Sequence, residues 1–573
     1  MLWWSVKRFC SRKSISLQLF RRMAESKTPG SPGSRDQIIE EVVCQSSDIR
    51  ENEMKVFEFG KEGDQILLVK QEGKLYALGN KCTHYGAPLV NGALGKGRVR
   101  CPWHGACFSL ETGDIEDFPG LDCLPKFNVE IAAGGGVKIS ANRQLLKSNK
   151  RPRTSCDAKL APKLNQDSVF VIIGAGAAGN NCAETLRQLN FPGRVVMVSK
   201  ENYYPYDRIK LSKAFNVDIK QIQLRNKEFY REKEIEVLKD KYAVKVNSDD
   251  KVVTLSDNTK LNYTKLFIAT GARGRVIKMP GSSLGNIFTI RNIGDAKDIA
   301  SKLRPDVHMV VCGSSFIAME TAAFCVSKVK SVTVIGRSSV PFEQILGRQV
   351  GERIDQLFRE KGVHFAMNTS VKGYNGDSNN NVTSVTLADG KELKAELVVL
   401  GIGSEFNTEF LKGGEINMNM DGSVPVDKFL ETNVKGIFAG GDIAYAPVMV
   451  ANDKPMSIGH WQLAHYHGYV AAHTMCGIST PLKSVPFFWT VLFGLSFRYA
   501  GVGGRFDDIV IVGDIRNLKF VAYYCEGDNV NAVLTVGSDP VAAKFAERLH
   551  NGKKLKKAHV TGKKIEWVDE RLY

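Results

Sequence analysis

Four side chains in two short loops have the chemistry to hold a metal centre. Cys82-Thr83-His84 and Cys101-Pro102-Trp103-His104-Gly105 each supply one Cys and one His. Thiolate sulfur and neutral imidazole suit two kinds of centre. A structural zinc ion takes a Cys2His2 set. A [2Fe–2S] cluster in which two imidazoles replace two thiolates takes the same set. In that second case Cys82 and Cys101 hold the ferric iron, and His84 and His104 hold the iron that changes valence. Neutral nitrogen on one iron localises and eases its reduction. The short Cys-x-His loop and the Pro-Trp-His-Gly context favour the cluster.

A second set of residues has the chemistry of phosphate binding. Val169 to Ile173 reads as a buried strand, Gly174-Ala175-Gly176-Ala177-Ala178-Gly179 follows, and a helix is expected from Asn180 to about Leu189. The next strand, Val195 to Val198, ends near Glu201. This is GxGxxG in its strand–turn–helix setting with an acid about 20 residues on. Gly174 makes the tight turn, Gly176 lets backbone approach a pyrophosphate, and Gly179 allows close helix–strand packing. The helix N-terminus faces the phosphates, and Glu201 takes a ribose hydroxyl.

A degenerate copy lies further on. A strand at Val307 to Val311 precedes Gly313, with Ser315 and Ala318 in place of the second and third glycines, then a helix over 317–326 and a strand from Ser331 to Ile335. Gly336-Arg337-Ser338 stands where the ribose-binding acid is expected, and an Arg there can accept a 2′-phosphate. NADPH is therefore as well supported as NADH. No CxxC or CxxxxC occurs, and Cys182 stands alone on the first helix, so thiol–disulfide chemistry is not expected.

These loops need several domains to position them. At roughly 150 residues per domain, 573 residues suggest about four units. Apolar residues at 43% and charged residues at 24% are ordinary globular values. No run of 18 apolar residues exists, so no transmembrane helix is expected. Lys7, Arg8, Arg12, Lys13, Arg21 and Arg22 precede the first acid, Glu25, and alternate with apolar residues and serines. That is the pattern of a mitochondrial transit peptide, and it supplies +6 of the net charge of +17. A second basic stretch, 143–165, reads as a flexible tether. It lacks the aromatic interleaving of single-strand binders, so no nucleic-acid partner is expected.

Residues 37–142, around the two Cys/His loops, resemble the Rieske family. High-potential members carry an extra Cys in each loop and Ser and Tyr donors near the cluster sulfurs. Ala87 and Trp103, and Ala106 and Phe108, stand at those places here. Fewer hydrogen bonds to sulfur favour the oxidised state. The potential is then expected toward the low end of the roughly −150 to +300 mV Rieske range.

The remainder resembles ferredoxin-type reductases with two dinucleotide folds. The resemblance rests on GxGxxG, Ala269-Thr270-Gly271, Gly440-Gly441-Asp442, Pro205 to Lys213 and His460-Trp461-Gln462. It implies FAD contacts at Arg208, Lys213, Val244, Thr270, Asp442 and Trp461. It also implies a catalytic Lys213–Glu320 pair near the flavin and NAD(P)H on the unit carrying Gly313, Ser315, Glu320 and Arg337. A Rieske domain followed by such a reductase resembles the apoptosis-inducing-factor-like mitochondrial flavoproteins.

The expected architecture is multidomain. It runs as transit peptide and linker (1–36), all-β Rieske domain (37–142), basic linker (143–165), then two nested α/β Rossmann-like domains. Those are the FAD-binding domain (166–305 and 426–484) and the inserted NAD(P)-binding domain (306–425), followed by a small α+β domain (485–573). The resemblance implies FAD, a [2Fe–2S] cluster and NADH or NADPH as cofactors. It implies an electron acceptor, protein or small molecule, as partner, and it allows a homodimer. Electron flow from NAD(P)H through flavin to the cluster is the expected activity. A cell-death signalling role, with the redox centres as conformational sensor, is the alternative.

Overall fold

The structure, a computed structural model, describes residues 38–153 and 165–562, with 566–568 and 572 near the C-terminus. The expected transit segment lies outside the described residues. Runs such as Ile66-Leu67-Leu68-Val69 pair as strands because their side chains alternate between two faces. Ile38–Gln45, Gly136–Asn142, Lys126–Ile131, Lys74–Gly79, Asp64–Gln71 and Glu53–Phe59 form one antiparallel sheet in that order. A smaller sheet of Ala93–Gly95, Arg98–Arg100, Cys107–Ser109 and Ile115–Asp117 carries the second Cys/His loop between its second and third strands.

The expected tether is corrected over 143–153. Helix α1, Arg143–Ser148, is capped by the Asn142 side chain, which accepts from the Gln144 and Leu145 N–H groups. Asn149 follows in the left-handed conformation, and its side-chain amide donates to the Lys81 carbonyl at 2.5 Å, beside the first Cys/His loop. Arg151 pairs its backbone with Cys123 and its guanidinium with Asp114 at 2.7 Å. Arg153 lies over the rings of Phe118 and Tyr469. Basic composition predicts solvated chain, whereas Arg143, Lys147, Arg151 and Arg153 are held by partners the fold supplies. Residues 154–164 lie outside the described residues.

The reductase part holds two parallel five-stranded sheets. The first contains β1, Val169–Ile173, and β2, Arg194–Val198, flanked by Ile235–Leu238, Lys265–Ile268 and Ile437–Ala439. Helix α2, Ala177–Gln188, starts straight after Gly176, three residues before the expected Asn180. The second contains β3, His308–Cys312, helix α3, Phe316–Cys325, and β4, Ser331–Ile335. Helix α4, Trp461–Met475, packs along α2. The C-terminal part is an antiparallel sheet, opening with β5, Phe487–Leu492, backed by helix α5, Val541–His550.

The Rieske-type domain is not free of the rest. One hydrophobic core runs from Leu67, Leu89 and Phe108 into Phe170, Leu186 and Met475. Arg100 is fully buried; it donates to Glu547 at 2.5 Å, Asp117 at 2.7 Å and the Gly105 carbonyl at 2.9 Å. Glu547 sits on α5 and also accepts from Arg98 at 3.0 Å. Ser484 donates to Asp117 at 2.9 Å, and Gln462 donates to Ser484 at 3.2 Å. A swinging domain would leave these buried charges unpaired, which costs several kcal/mol per ion.

Candidate functional site

The two Cys/His loops are built alike. The Cys82 N–H donates to the Ala87 carbonyl at 2.8 Å and the Cys101 N–H to the Ala106 carbonyl at 2.7 Å. Each loop turns on a glycine with positive φ, Gly86 at 78° and Gly105 at 70°, a region that disfavours side chains. The backbone N–H groups of His84 and Tyr85 face the Cys82 sulfur, and those of Trp103 and His104 face Cys101. The hydrogen bond between the two thiols, with burial, holds the Cys82 proton on strongly. Burial also raises Cys101, but the Cys82 contact and the backbone N–H groups more than offset it.

The histidines form the other half. Their ring centroids are 5.0 Å apart, and His84 Nδ1 is buried with no protein partner. Burial, then Lys210 and Lys150, pulls His84 down to about 3; burial, then His84 and Arg498, pulls His104 to about 2. Both are neutral, as metal-ligating imidazole must be. Among the described residues no three His, Cys, Asp or Glu converge on one point as a mononuclear ion requires. Two thiols side by side and two imidazoles side by side suit a two-iron cluster, one pair per iron.

A cavity of about 570 Å³ opens beside these loops, within the usual range for ligand pockets. Gly176, Ala177 and Ala178 form one end. A Cβ on Gly176 would meet nothing within 4 Å, so glycine keeps this approach open. Gly174 has φ of 110°, and a Cβ on Gly179 would lie 1.9 Å from the Gly174 carbonyl oxygen. Ser457 Oγ, His460 Nδ1 and Gln462 Oε1, all on residues of the wall, are buried with no partner, as is Thr270 Oγ1 alongside. Arg208, Lys213, Arg273 and Arg291 on the wall outnumber Asp442 and Glu320, which suits an anionic ligand. Open glycine backbone, unpaired polar atoms and net cation fit a dinucleotide.

Asp442 accepts from Arg291 at 2.9 Å. Lys213 Nζ lies 3.0 and 3.1 Å from the two Glu320 oxygens; Glu320 also accepts from Ser212 and from Thr490 at 2.5 Å. Trp461 lines the cavity while its ring N–H donates to the Pro119 carbonyl of the Rieske-type domain at 3.1 Å. Ser315 and Phe316 bring the second turn to the same cavity. Glu201, Val244 and Arg337 are among the expected contacts that are not on the wall. Glu201 binds the Tyr206 hydroxyl at 2.6 Å and the Arg208 guanidinium. Val244 is 43% exposed, and Arg337 is exposed after β4. The half-buried Ala175 also lies outside the wall, within the first turn, as does Gly313, which makes the second with φ of 107°.

β5 borders both sites, and Phe487, Phe488 and Trp489 all line the cavity. Alternation places Phe487 and Trp489 on one face and Phe488 and Thr490 on the other. A Cβ on Gly105 would meet the Phe487 ring at 2.7 Å, and the Trp489 ring lies 4.5 Å from His104. On the opposite face Phe488 lies 5.0 Å from His460, and Thr490 holds Glu320. Arg498 fixes the second loop by donating to the Trp103 carbonyl at 2.9 Å. Sequence reasoning noticed Pro486-Phe487-Phe488-Trp489-Thr490 only as the start of a domain. The aromatic alternation was the available signal. Arg100 and Glu547 carried none.

Cys/His loop pairs packed on two dinucleotide folds define a ferredoxin-reductase-like oxidoreductase fold with a Rieske domain. Residues 168–468 match the family described as pyridine nucleotide-disulphide oxidoreductase, and residues 40–128 match the Rieske [2Fe-2S] domain. The chain is 41% identical over 93% of its length to apoptosis-inducing factor 3 of Homo sapiens, covering 87% of that protein. It is 28% identical over 63% of its length to the ferredoxin–NAD(+) reductase component of a 3-phenylpropionate/cinnamic acid dioxygenase from Photorhabdus laumondii, covering 91% of that protein. Among solved structures it resembles the covalent putidaredoxin reductase–putidaredoxin complex, with a TM-score of 0.67 and 25% identity over 71% of this chain and 99% of that one. The chain belongs to the pyridine nucleotide-disulphide oxidoreductase family and carries an N-terminal Rieske domain; it is an NAD(P)H oxidoreductase.

Proposed function

We propose that this oxidoreductase uses FAD in the 570 Å³ cavity and passes electrons from NAD(P)H to a cluster held by Cys82, Cys101, His84 and His104 of the same chain. Bound there, FAD would supply the conversion of a two-electron hydride donor into single electrons, the form that a [2Fe–2S] cluster held by the Cys/His loops could take. The chain's own residues supply binding and orientation. The turn at Gly174–Gly179 and the first turn of α2 take the pyrophosphate. Asp442 accepts from the ribityl chain, and Thr270 and Gln462 offer polar atoms to the cofactor. Glu320 holds the Lys213 ammonium toward the flavin, with Thr490 and Ser212 fixing the carboxylate. Trp461, on the cavity wall, would lie by the flavin and keeps the Rieske domain close through Pro119. The turn at Gly313–Ser315 binds the nicotinamide dinucleotide, with Arg337 available to a 2′-phosphate. A ferredoxin-like protein is the onward acceptor, and residues 1–24 direct the chain to the mitochondrion.

The observation that carries this reading is the shared strand β5. One face touches the Cys/His loops and the other the Lys213–Glu320 pair. Anaerobic rapid mixing with NADH or NADPH tests it, followed at flavin and cluster wavelengths. Flavin bleaching followed by cluster bleaching at a rate independent of protein concentration is the expected result. A rate proportional to protein concentration, or no cluster bleaching, overturns it.

A further inference from the structure

The loops that hold the four ligands are closed on nearly every side. The second loop is backed by the buried Arg100 and by Arg498, and its His104 faces Trp489. Pro119, on the loop beside His84, is held by Trp461. The first loop is tied from behind by Asn149 to Lys81. One edge remains open. Tyr85 stacks on His84 with ring centroids 3.8 Å apart and is 41% exposed, and Gly86 beside it is exposed.

Cations surround that edge. Lys210 Nζ sits 5.1 Å from the Tyr85 ring centroid, and Lys81 and Lys150 are exposed nearby. Two acids belong to the same edge, and both are engaged. Asp207 is buried and accepts from the Tyr85 hydroxyl at 3.0 Å. Asp122 is held by Arg225 at 2.8 Å, with Lys150 at 3.9 Å. The exposed charge is therefore positive around an aromatic centre. Interface hot spots favour such a pattern: a large ring that fills a partner's pocket, within a charged rim that steers the approach.

We propose that the Tyr85 face, ringed by Lys81, Lys150 and Lys210, is the docking surface for an acidic one-electron carrier protein. It rests on the reading that the four ligands hold a redox cluster, because only then does a carrier gain by docking over His84. The buried Rieske–reductase interface makes this face the approach that requires no domain release. Rim lysines act through long-range attraction, which salt screens over about 10 Å at 0.1 M.

The holoprotein is titrated with the soluble domain of cytochrome b5, an acidic haem protein, and with basic cytochrome c. Affinity is read by fluorescence or calorimetry, and the footprint by hydrogen exchange. Cytochrome b5 should protect residues 81–86 and 147–150 and bind more weakly at high salt. Lys150→Glu with Lys210→Glu should weaken it about tenfold and strengthen cytochrome c, while the remote Lys391→Glu changes neither. Protection elsewhere, no cytochrome b5 binding, or equal affinity in the double variant overturns the proposal. So does loss of binding to phosphatidylserine vesicles in a variant that keeps cytochrome b5 affinity, which would make the face a membrane contact. NAD(P)H-driven cluster bleaching, measured without either cytochrome, should be unchanged in Lys391→Glu. Its absence from the unmodified protein would strike the proposed function alone, since the affinity and footprint are read without it.

Discussion

The two dinucleotide-type turns solve one packing problem in opposite ways. In the first, a Cβ on Gly174 would lie 2.2 Å from the Ala269 carbonyl oxygen, and in the second a Cβ on Gly313 would lie 2.3 Å from that of Gly401. Ala269 and Gly401 thus occupy equivalent places, each following the neighbouring parallel strand. In the first unit the helix position is Gly179, whose Cβ would lie 1.9 Å from the Gly174 carbonyl oxygen, and Ala269 follows the strand. The second pairs Ala318 with Gly401, and a Cβ on Gly401 would lie 2.7 Å from the Ala318 Cβ. The residue types are exchanged between the two places: Gly179 and Ala269 in the first unit, Ala318 and Gly401 in the second. The constraint therefore acts on a pair of positions, and the third glycine of the fingerprint is only one way to meet it.

Their surroundings differ too. Helix α2 shares a core with the Rieske domain, whereas α3 shows Ile317 42% exposed and β4 ends at an exposed Arg337. The largest test asks whether the first unit depends on that cover. Arg100→Met leaves Glu547 and Asp117 buried without their main cation, which costs about 3–5 kcal/mol. Hydrogen exchange should accelerate over 169–198 and remain near its original rate over 308–335. Equal acceleration in both would erase the distinction. Burial pushes the Glu547 carboxyl up, but Arg100 and Arg98 more than offset it and hold it below the usual range. A folded-state pKa held low means the stabilisation is full above the unfolded value of about 4.3 and is lost as pH falls through the folded one. Removing Arg100 brings the folded value up, so melting temperature should begin to drop at a higher pH than in the unmodified protein.

Smaller effects probe the packing swap itself. Gly179→Ala forces its methyl into backbone, which cannot yield as a side chain would, so a loss at or above the upper end of about 1–3 kcal/mol is expected. The purified variant should also lack flavin absorbance. Gly401→Ala meets the Ala318 methyl at 2.7 Å, with the Ala318 backbone at 3.0 Å, and should cost about 1–3 kcal/mol, part of it recovered by adding Ala318→Gly. Denaturant titrations of the two singles and the double measure the coupling. Strict additivity would show that the swap is not what makes the second turn fit.

The sequence carried the parts of this molecule that depend on local spacing. Cys82, His84, Cys101 and His104 stand in loops whose turns need a glycine four residues after each Cys, and both are present. β1, α2 and β2 followed from an apolar run meeting GxGxxG. Ala318 looked like a defect because its compensation, Gly401, stands 83 residues away. Long-range pairing was likewise invisible at Arg100 and Glu547, which in sequence are ordinary surface charges 447 residues apart. The basic stretch after 142 was misread for a related reason. Composition counts charges, but Arg151 and Arg153 are fixed by partners that only the fold brings near.

The smallest expected effect concerns the open end of the second unit. In the first unit an acid, Glu201, follows β2 and is locked to Tyr206 and Arg208. In the second, Gly336 and Arg337 follow β4. A Cβ on Gly336 would lie 2.6 Å from the Met367 methyl and 2.8 Å from Ser314 Oγ, so no acid fits at 336 without displacing them. Discrimination between ribose 2′-hydroxyl and 2′-phosphate then falls to Arg337, which is exposed and free to rotate toward a ligand. A cation there favours the phosphate, and a carboxylate accepts from the hydroxyl while repelling the phosphate. Arg337→Glu should therefore shift the NADPH to NADH ratio of kcat/KM toward NADH by about tenfold, or about 1.4 kcal/mol, because the site is solvent-exposed and salt-screened. Stability should not change. An unaltered ratio would mean that the dinucleotide approaches from another side of the turn, and that the likeness between the two units ends at their glycines.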